Sequence, residues 1–371
     1  MISYIYPVLF HSKYKRYFRQ IVSFGIIWLL FGLIYILLEY GLIGSLNEYP
    51  TTQSKYNFTN SLTYVSIGSL LIGLVQGVIE VFWLKNYFKE RSFWKKILFK
   101  STFYLLLIIF FLISLTLASN ANLYKTTIFD PVVVDNVWRF MQTFSFWSVI
   151  IYSGLILDIA IFYSEIEEYL GNNAFVNYLG KYHNPRQEVR VFMFLDMKSS
   201  TSIAENLGHE KYFTLLKTYY ADMTDAIIET SGEVYQYVGD EIVVSWKEKK
   251  GIKNNNCIVC FKKISEVFEK KKNVYLDQFG LVPEFKAGFH IGEVTTGEIG
   301  IIKKDIIYTG DALNTTARIQ SECNRLNTRT LISEELVMKL DGSSHFSFSK
   351  IETLMLRGKK DAIQLYDVVY N

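Results

Sequence analysis

The amino-acid sequence predicts a soluble α+β domain of the ferredoxin-like βαββαβ type, preceded by a four-helix transmembrane region. Three observations support this prediction. The first half of the chain contains four long apolar stretches, whereas charged residues are concentrated in the second half. The second half alternates strand-like and helical patterns in the order β-α-β-β-α-β, which is typical of the ferredoxin-like class. Two of its strand-like runs lead into an aspartate.

Each of the four apolar stretches is long enough to cross a membrane as a helix. A span of about 20 helical residues crosses roughly 30 Å of hydrocarbon, and the stretches cover residues 21–44, 62–84, 101–119 and 144–163. Buried helices of a large soluble core are the alternative. Soluble helices usually show a polar face, however, and these stretches barely do, so membrane spans are the preferred interpretation.

The distribution of basic residues predicts the orientation in the membrane. Basic residues precede the first stretch (Lys13, Lys15, Arg16, Arg19) and separate the second from the third (Lys85, Lys89, Arg91, Lys95, Lys96, Lys100). The positive-inside rule therefore places both termini in the cytoplasm of a multi-pass protein of the plasma (inner) membrane. We expect a basic N-terminus (1–20), a transmembrane domain (21–163), a linker (164–187) and a cytoplasmic domain (188–371).

Charge and cysteine content restrict the partners of the chain. The net charge of +3 is carried largely by segments beside the apolar stretches, which indicates contact with anionic membrane lipid rather than nucleic acid. Cys257 and Cys260 form a C-x-x-C pair, which could act in redox chemistry or as half of a metal site. No second pair and no histidine lie nearby, so we interpret the pair as one buried face of a helix.

Two ionisable residues, Glu80 and Asp158, lie within the apolar stretches. An ionisable residue in a membrane span is by default a candidate functional site. Both residues are close to the predicted cytoplasmic end, however, and snorkelling or pairing with the basic segment 85–100 is the simpler explanation. Ligand or proton sensing is the alternative.

The second half of the chain shows its elements in a clear order. Gly171, Gly180 and Pro185 punctuate the linker, which predicts a short helix, a bend and an extended entry rather than one long helix. The elements that follow are a strand before Asp196, one helix over about 201–229, a hairpin around 239–240, a helix over about 256–270, a strand over 285–292, a glycine-rich ribbon and a helix over about 312–325.

Two aspartates carry the chemistry that this topology suggests. Asp196 follows the first strand and Asp240 lies in the hairpin turn, so both can lie at the same end of the sheet. Two adjacent carboxylates repel each other unless a cation lies between them. Such hard oxygen ligands suit Mg²⁺ or Mn²⁺, whose coordination is completed by water and substrate phosphates. Either aspartate alone would fit a simple strand end or turn, so the interpretation depends on its neighbours.

Groups suited to phosphate lie near these aspartates in the predicted fold or close to the C-terminus. Small hydroxyl residues and backbone amides at a helix start can receive a phosphate, and here they are Ser199, Ser200 and Thr201. Asn314 and Arg318 lie four residues apart on one helical face, and arginine suits the charge of a phosphoryl group. Lys359 and Lys360, beside a glycine, suit a terminal phosphate, with a solvated turn as the alternative.

Together these motifs resemble the catalytic domain of class III nucleotide cyclases, the adenylyl and guanylyl cyclases. The matching motifs are F-x-D-x-x-x-S-T at 194–201, Y-V-G-D-E at 237–241, the glycines of A-G-F-H-I-G-E-V-T-T-G-E-I-G at 287–300, and G-D-A-L-N-T-T-A-R at 310–318. The resemblance covers about residues 188–371 and none of the membrane half. It implies conversion of a nucleoside triphosphate to a 3′,5′-cyclic nucleotide and pyrophosphate.

The resemblance also implies a role for each site residue. Asp196 and Asp240, with the backbone carbonyl of Met197, would hold two divalent cations per site, Mg²⁺ or Mn²⁺, for in-line attack of the ribose 3′-hydroxyl on the α-phosphorus. The family acts as a homodimer in which the partner subunit supplies the remaining groups. These groups would be Asn314 for the ribose, Arg318 for the transition state and Lys359 for the β- and γ-phosphates.

The sequence departs from the family at the two positions that read the base. These positions hold Gln236 and Ile307, and the isoleucine offers no hydrogen bond. ATP is the expected substrate, with GTP or a pyrimidine nucleotide as alternatives. A nucleotide-binding membrane sensor without turnover is the competing interpretation, which the combination of Asp196, Asp240, Asn314 and Arg318 disfavours.

Overall fold

The computed structural model describes residues 12–43, 48, 55–88, 91–170, 182–302, 304–342, 346–355 and 362–370. The chain forms two compact units, one over Tyr14–Ala174 and one that includes Phe175–Asn371.

The first unit consists of helices. They are α1 (Ser12–Ile43), α2 (Phe58–Ile79) with a π-helical segment (Glu80–Leu84) and one further turn (Lys85–Tyr87), α3 (Phe93–Tyr124), α4 (Pro131–Met141) and α5 (Phe144–Leu170). Four segments are long and apolar enough to cross a membrane: Arg16–Gly41, Phe58–Leu84, Phe93–Tyr124 and Phe144–Glu167. The prediction of four apolar helices ahead of the soluble domain is therefore confirmed.

Two features of this unit were not predicted from the sequence. Helix α4 lies between the third and fourth candidate spans, and it begins where the Asp130 side chain accepts a hydrogen bond from the Val132 amide at 2.9 Å. The Asp-Pro pair at its start was the available signal, because proline is favoured at the first helical position. Helix α5 continues past residue 163 to Leu170, so the first part of the predicted linker extends the span; residues 171–181 lie outside the described residues.

A buried ion-pair cluster joins the ends of three candidate spans. Lys100 of α3 is 1% exposed, donates to Glu165 of α5 at 2.6 Å and also bonds Glu80 of the π-helical segment. Lys96, one turn away, lies 3.5 Å from Glu165. The predicted pairing of Glu80 with the basic segment 85–100 is confirmed, whereas Asp158 accepts a hydrogen bond from Ser101 at 2.5 Å.

This cluster continues to the remaining candidate span. The Tyr104 hydroxyl donates to Glu80 at 3.3 Å and lies 3.2 Å from the carbonyl oxygen of Gln76, while the Trp28 indole donates to the Gln76 side chain at 2.6 Å. We call these residues the Lys100 network: Trp28, Gln76, Glu80, Lys96, Lys100, Tyr104 and Glu165. Through it, polar contacts link α1, α2, α3 and α5.

The second unit is a mixed sheet flanked by helices. Its strands are β1 (Arg186–Met197), β2 (Glu233–Val238), β3 (Glu241–Lys247), β4 (Phe285–Ile299), β5 (Asp305–Thr309), β6 (Thr330–Ser333), β7 (Phe346–Leu354) and β8 (Ile363–Tyr370). Its helices are α6 (Ser200–Leu207), α7 (His209–Glu229), α8 (Glu248–Ile252), α9 (Asn256–Lys270), α10 (Lys272–Phe279), α11 (Asp311–Arg325) and α12 (Glu334–Val337). The sheet order is β2-β3-β1-β4-β6-β8-β7, with β5 paired to β4. The predicted βαββαβ arrangement is confirmed.

The helix predicted over about 201–229 is in fact two helices. Gly208 separates α6 from α7 with φ of +75°, a left-handed conformation that glycine adopts without a steric penalty. The helical spacing of the apolar residues does not indicate this break, because it reports the buried face of a helix and not the backbone conformation.

The main core lies on one face of the sheet. Helices α7 and α9 pack there through buried residues such as Leu215, Tyr219 and Phe261. Cys257 and Cys260 are fully buried in this core, so the interpretation of the C-x-x-C pair as a helix face is confirmed. Helix α11 covers the opposite face near Phe192 and Val294.

Candidate active site

Asp196 and Asp240 lie together at one end of the sheet. Strands β1 and β3 pair antiparallel with Leu195 opposite Ile242, which brings the residue after Leu195 next to the hairpin turn. The two carboxyl groups are close enough to interact. Burial raises the pKa of Asp196, and the neighbouring Asp240 carboxyl raises that pKa further. A like-charged pair held in this way is chemically suited to a cation.

The two carboxylates have unequal surroundings. The Oδ2 atom of Asp196 lies 3.4 Å from Lys286 Nζ and accepts a hydrogen bond from Gln320 at 3.2 Å. The Oδ2 atom of Asp240 is buried and has no hydrogen-bond partner among the described residues. An open carboxylate oxygen beside a second carboxylate fits a hard divalent cation. Met197, the last residue of β1, follows Asp196 directly in the sequence.

No larger metal cluster accompanies this pair. Within the described ranges, no three His, Cys, Asp or Glu side chains are grouped so that they could hold a metal ion. A cation at the two aspartates would therefore need further oxygen ligands from water, the backbone or substrate phosphates.

The surroundings of the pair add structure that sequence reasoning missed. Tyr220 of α7 donates its hydroxyl to the Gly239 carbonyl at 2.8 Å and lies 3.3 Å from the carbonyl oxygen of Glu241, which holds the hairpin turn in place. Burial raises the pKa of Glu241 to about 7, and the Asp196 and Asp240 carboxylates contribute to this rise. A concentration of negative charge at one sheet end is what a divalent cation would neutralise.

The predicted phosphate-binding residues follow Asp196 directly. Ser199 has a left-handed backbone with φ of 58°, and α6 begins at the next residue. Ser200 is half-buried, and Thr201 is exposed. The first amides of α6 have no helical partner, so they are available to an anion. Lys359, the other predicted phosphate ligand, lies outside the described residues.

The residues of α11 that concern the site differ in burial. Gln320 is buried and reaches Asp196, whereas Asn314 is exposed and Arg318 is half-buried. Within the part of the chain that the structure describes, no hydrogen bond or ion pair connects Asn314 or Arg318 with the two aspartates. The described contacts therefore do not join these predicted residues into one group within the chain.

Gly288 allows α11 to come close enough for the Gln320 contact. A Cβ atom at Gly288 would lie 2.5 Å from the backbone nitrogen of Gln320. We therefore expect Gly288→Ala to push α11 away from the sheet and to lower the free energy of unfolding by about 1–3 kcal/mol. The loss of the Gln320 contact should also weaken Mn²⁺ binding. Thermal unfolding with and without Mn²⁺ measures both the stability and the Mn²⁺ effect. Gly342→Ala is the matched control, since a Cβ there meets nothing within 4 Å; equal behaviour of the two variants would contradict the expectation.

The two positions predicted to read the base lie on strands that are not neighbours. Gln236 is an exposed residue of β2, paired with Val243 after a bulge. Ile307 is a partly exposed residue of β5, paired with Gly297 of β4. Strand β5 lies across β4 from β1, because Thr296 pairs with both Arg186 and Tyr308.

Comparison with known proteins finds a family match in the second unit. Residues 182–368, just over half of the chain, match the family model described as "Adenylate and Guanylate cyclase catalytic domain". A protein of Rhizobium meliloti (strain 1021) named "Adenylate cyclase 2" is 36% identical over 194 residues, which are 52% of this chain and 53% of that protein. The "Adenylate cyclase" of Anabaena cylindrica is 27% identical over 180 residues, 47% of this chain and 36% of that protein.

A solved structure shares the fold. The "Structure of a bacterial light-regulated adenylyl cyclase" aligns with a TM-score of 0.51 and 19% identity over 62% of this chain and 67% of that one. The chain spans about half the length of the first curated relative and less of the second, and the residues matched by the family model lie in the second unit. The chain belongs to the adenylate and guanylate cyclase family, and residues 182–368 are its class III catalytic domain.

Proposed function

We propose that the protein converts ATP to 3′,5′-cyclic AMP and pyrophosphate for intracellular signal transduction. The observation that carries this proposal is the pair of strand-end carboxylates, Asp196 and Asp240, inside a cyclase catalytic domain. One oxygen of Asp240 is buried and has no hydrogen-bond partner among the residues that the structure describes. Both curated relatives described above are named adenylate cyclases, which supports ATP.

The residues of this chain would divide the work as follows. Asp196, Asp240 and the carbonyl of Met197 would hold two Mg²⁺ or Mn²⁺ ions. Bound there, the ions would supply Lewis-acid activation of the attacking hydroxyl and charge neutralisation on the triphosphate. Ser199, Ser200 and Thr201, at the start of α6, would receive phosphate oxygens through backbone amides and hydroxyls.

The exposed face of α11 supplies the second group. Asn314 would orient the ribose, and Arg318 would stabilise the charge that develops on the α-phosphoryl group, for which a planar guanidinium is well suited. Lys359 would bind the β- and γ-phosphates. Because no hydrogen bond or ion pair among the described residues joins Asn314 or Arg318 to the aspartates, we propose a homodimer in which each site combines the aspartates of one subunit with α11 of its partner.

The base-reading positions favour a second candidate for the substrate. Gln236 can donate and accept hydrogen bonds, but Ile307 can do neither, so GTP or a pyrimidine triphosphate is the alternative to ATP. A membrane sensor that binds nucleotide without turnover is the alternative to an enzyme.

We further propose how the protein lies in the membrane. The four candidate spans and the basic segments beside them favour a multi-pass protein of the plasma (inner) membrane, with both termini in the cytoplasm and the basic segments against anionic lipid. The segment after α5 would carry a signal to the catalytic domain. Nothing in the proposal requires nucleic acid as a partner.

The proposed reaction is tested by product analysis. Purified full-length protein is incubated with Mn²⁺ or Mg²⁺ and each of ATP, GTP, CTP and UTP, and cyclic products are detected by mass spectrometry. Cyclic AMP as the main product supports the proposal, and another cyclic nucleotide would reassign the base. Binding of nucleotide without any product, from folded and dimeric protein, would favour the sensor.

The proposed dimer is tested by complementation. Asp196→Ala and Arg318→Ala should each be inactive as homodimers, since every site lacks one group. Co-expressed in equal amounts, they should recover about a quarter of the wild-type activity, because half of the dimers would contain one intact site. Failure to recover activity, with heterodimers demonstrated by differently tagged subunits, would place all the groups of a site in one chain.

A further inference from the structure

Two tyrosines and a buried arginine join strands that are far apart in the sheet. The rings of Tyr235 on β2 and Tyr308 on β5 have centroids 4.7 Å apart, and the Tyr235 hydroxyl accepts a hydrogen bond from the Tyr308 amide at 3.4 Å. Strands β3, β1 and β4 lie between β2 and β5 in the sheet order. The contact therefore requires the β4–β5 ribbon to bend back over the face of the sheet.

Arg190 of β1 fixes this arrangement from the sheet side. Its side chain is 0% exposed, and its guanidinium lies 4.6 Å from the centre of the Tyr308 ring, a cation–π geometry. The guanidinium also donates to Glu233 at 2.5 Å and to Ser245 at 3.0 Å. Arg190 thus connects β5 with the start of β2. We call Arg190, Tyr235 and Tyr308 the Arg190 clamp.

A bulge in β2 places Tyr235 of the Arg190 clamp directly before Gln236. Val234 pairs with Val244 and Gln236 pairs with Val243, so Tyr235 is the extra residue. Because paired residues share a sheet face, Gln236 lies on the same face as Val243, and Tyr235 packs against the group of buried residues that includes Val243. A bulge of this kind re-aims the side chains beside it. The position of Gln236 therefore depends on how Tyr235 packs.

On β5 the clamp acts on the other base-reading position. Tyr308 packs onto the sheet against Phe192, with ring centroids 5.7 Å apart. Ile307 precedes it, and successive residues of a strand point to opposite sides. Ile307 is therefore directed to the side of the ribbon away from the sheet. Its distance from the sheet depends on how Tyr308 packs.

We propose that the Arg190 clamp positions Gln236 and Ile307 relative to each other, and so determines which base the site accepts. The proposal rests on the proposed function. The three residues are positioning residues and need not touch the nucleotide. The ion pair between the buried Arg190 and the partly buried Glu233 restricts the position of the guanidinium, and the contact between the two tyrosine rings, tilted by 43°, adds an aromatic interaction that depends on their geometry. Loosening the clamp would let the two base-reading positions separate.

The experiment compares Tyr308→Leu and Tyr235→Leu with wild type in the full-length protein. Steady-state kcat and KM are measured for all four nucleotides, and the unfolding midpoint is measured with Mn²⁺ and each nucleotide. Tyr308→Phe keeps the ring and is the conservative variant. Tyr366→Leu is the matched control, since Tyr366 is a strand tyrosine in β8 whose hydroxyl lies 3.2 Å from Glu334.

The expected result is a change in selectivity. In both leucine variants, KM for the best nucleotide should rise about tenfold, and the ratio of kcat/KM between the best and second-best nucleotides should fall by a similar factor. The kcat for the best nucleotide should stay within about threefold of wild type. Tyr308→Phe should retain wild-type selectivity.

Two results would overturn the proposal. One is that the leucine variants keep wild-type selectivity, as Tyr366→Leu does. The other is an equal loss of activity with every nucleotide in proportion to the loss of folded protein, which would show a structural role only. If wild type makes no cyclic product, the proposed function fails, but the shifts in unfolding midpoint still report nucleotide discrimination and decide whether the clamp controls it.

Discussion

Asp240→Asn is expected to lower kcat by about a thousandfold and, at the same time, to stabilise the catalytic unit in the absence of metal. Removing one of two charged ligands would deprive the proposed cations of their site, and losses of this size are usual for groups that stabilise charge in the transition state. The stabilisation has a separate cause. Asp240 raises the pKa of Asp196, so the two carboxylates repel each other in the folded protein, and a neutral amide relieves that repulsion.

The two effects are measured independently. The unfolding midpoint of metal-free Asp240→Asn should rise by about 2–4 °C, which corresponds to roughly 1 kcal/mol in a unit of this size. The upward shift that Mn²⁺ produces in wild type should be lost. Asp277→Asn, on the exposed side of α10, is the control and should retain both activity and the Mn²⁺ shift. A metal-free midpoint below that of wild type would show that Asp240 has a structural role that outweighs the repulsion.

Lys100→Met is expected to destabilise the helical unit by about 3–5 kcal/mol, the usual cost of leaving a buried charge without its partner. Lys100 is 1% exposed, and both of its carboxylate partners are almost fully buried. Its removal leaves Glu80 without a cation and leaves Glu165 with Lys96 alone. Unfolding in a mixed-micelle titration, followed by tryptophan fluorescence, measures the loss.

A compensating variant separates charge from packing. Adding Glu80→Gln and Glu165→Gln to Lys100→Met removes the unpaired charges while it keeps the side-chain sizes similar, so most of the stability should return. Lys95→Met, at the neighbouring exposed lysine, should leave stability within about 0.5 kcal/mol of wild type. If the triple variant is no more stable than Lys100→Met, the lost stability comes from the lysine's packing rather than from its charge.

Local chemistry explains why much of the fold was predictable. The apolar stretches and the alternation of strands and helices follow from periodicity, which depends only on nearby residues. The strand-end aspartates were also visible, since Asp196 and Asp240 each follow an apolar strand-like run. The predicted helix over 201–229 failed at Gly208 because periodicity reports the buried face of a helix but not a local change in backbone direction.

The partners of the site residues were not predictable in the same way. Gln320 and Lys286 reach Asp196 from α11 and β4, and nothing in their immediate sequence marks them. Gly288 belongs to a glycine motif in the sequence. The need for glycine at this position is explained only by the close packing of α11 against β4. These contacts join residues distant in sequence, so they depend on how the elements pack.

By itself the sequence determined four apolar helices, a βαββαβ domain and a pair of carboxylates at one sheet end, because hydrophobic periodicity and strand ends are local properties of a chain. Only the tertiary structure decided that Lys100 pairs with Glu80 and Glu165, that Gln320 meets Asp196, and that Arg190 and two tyrosines bend the β4–β5 ribbon over the sheet. The physical reason is that the partner of a buried charge or ring is the group that packs beside it, and packing is a property of the whole fold.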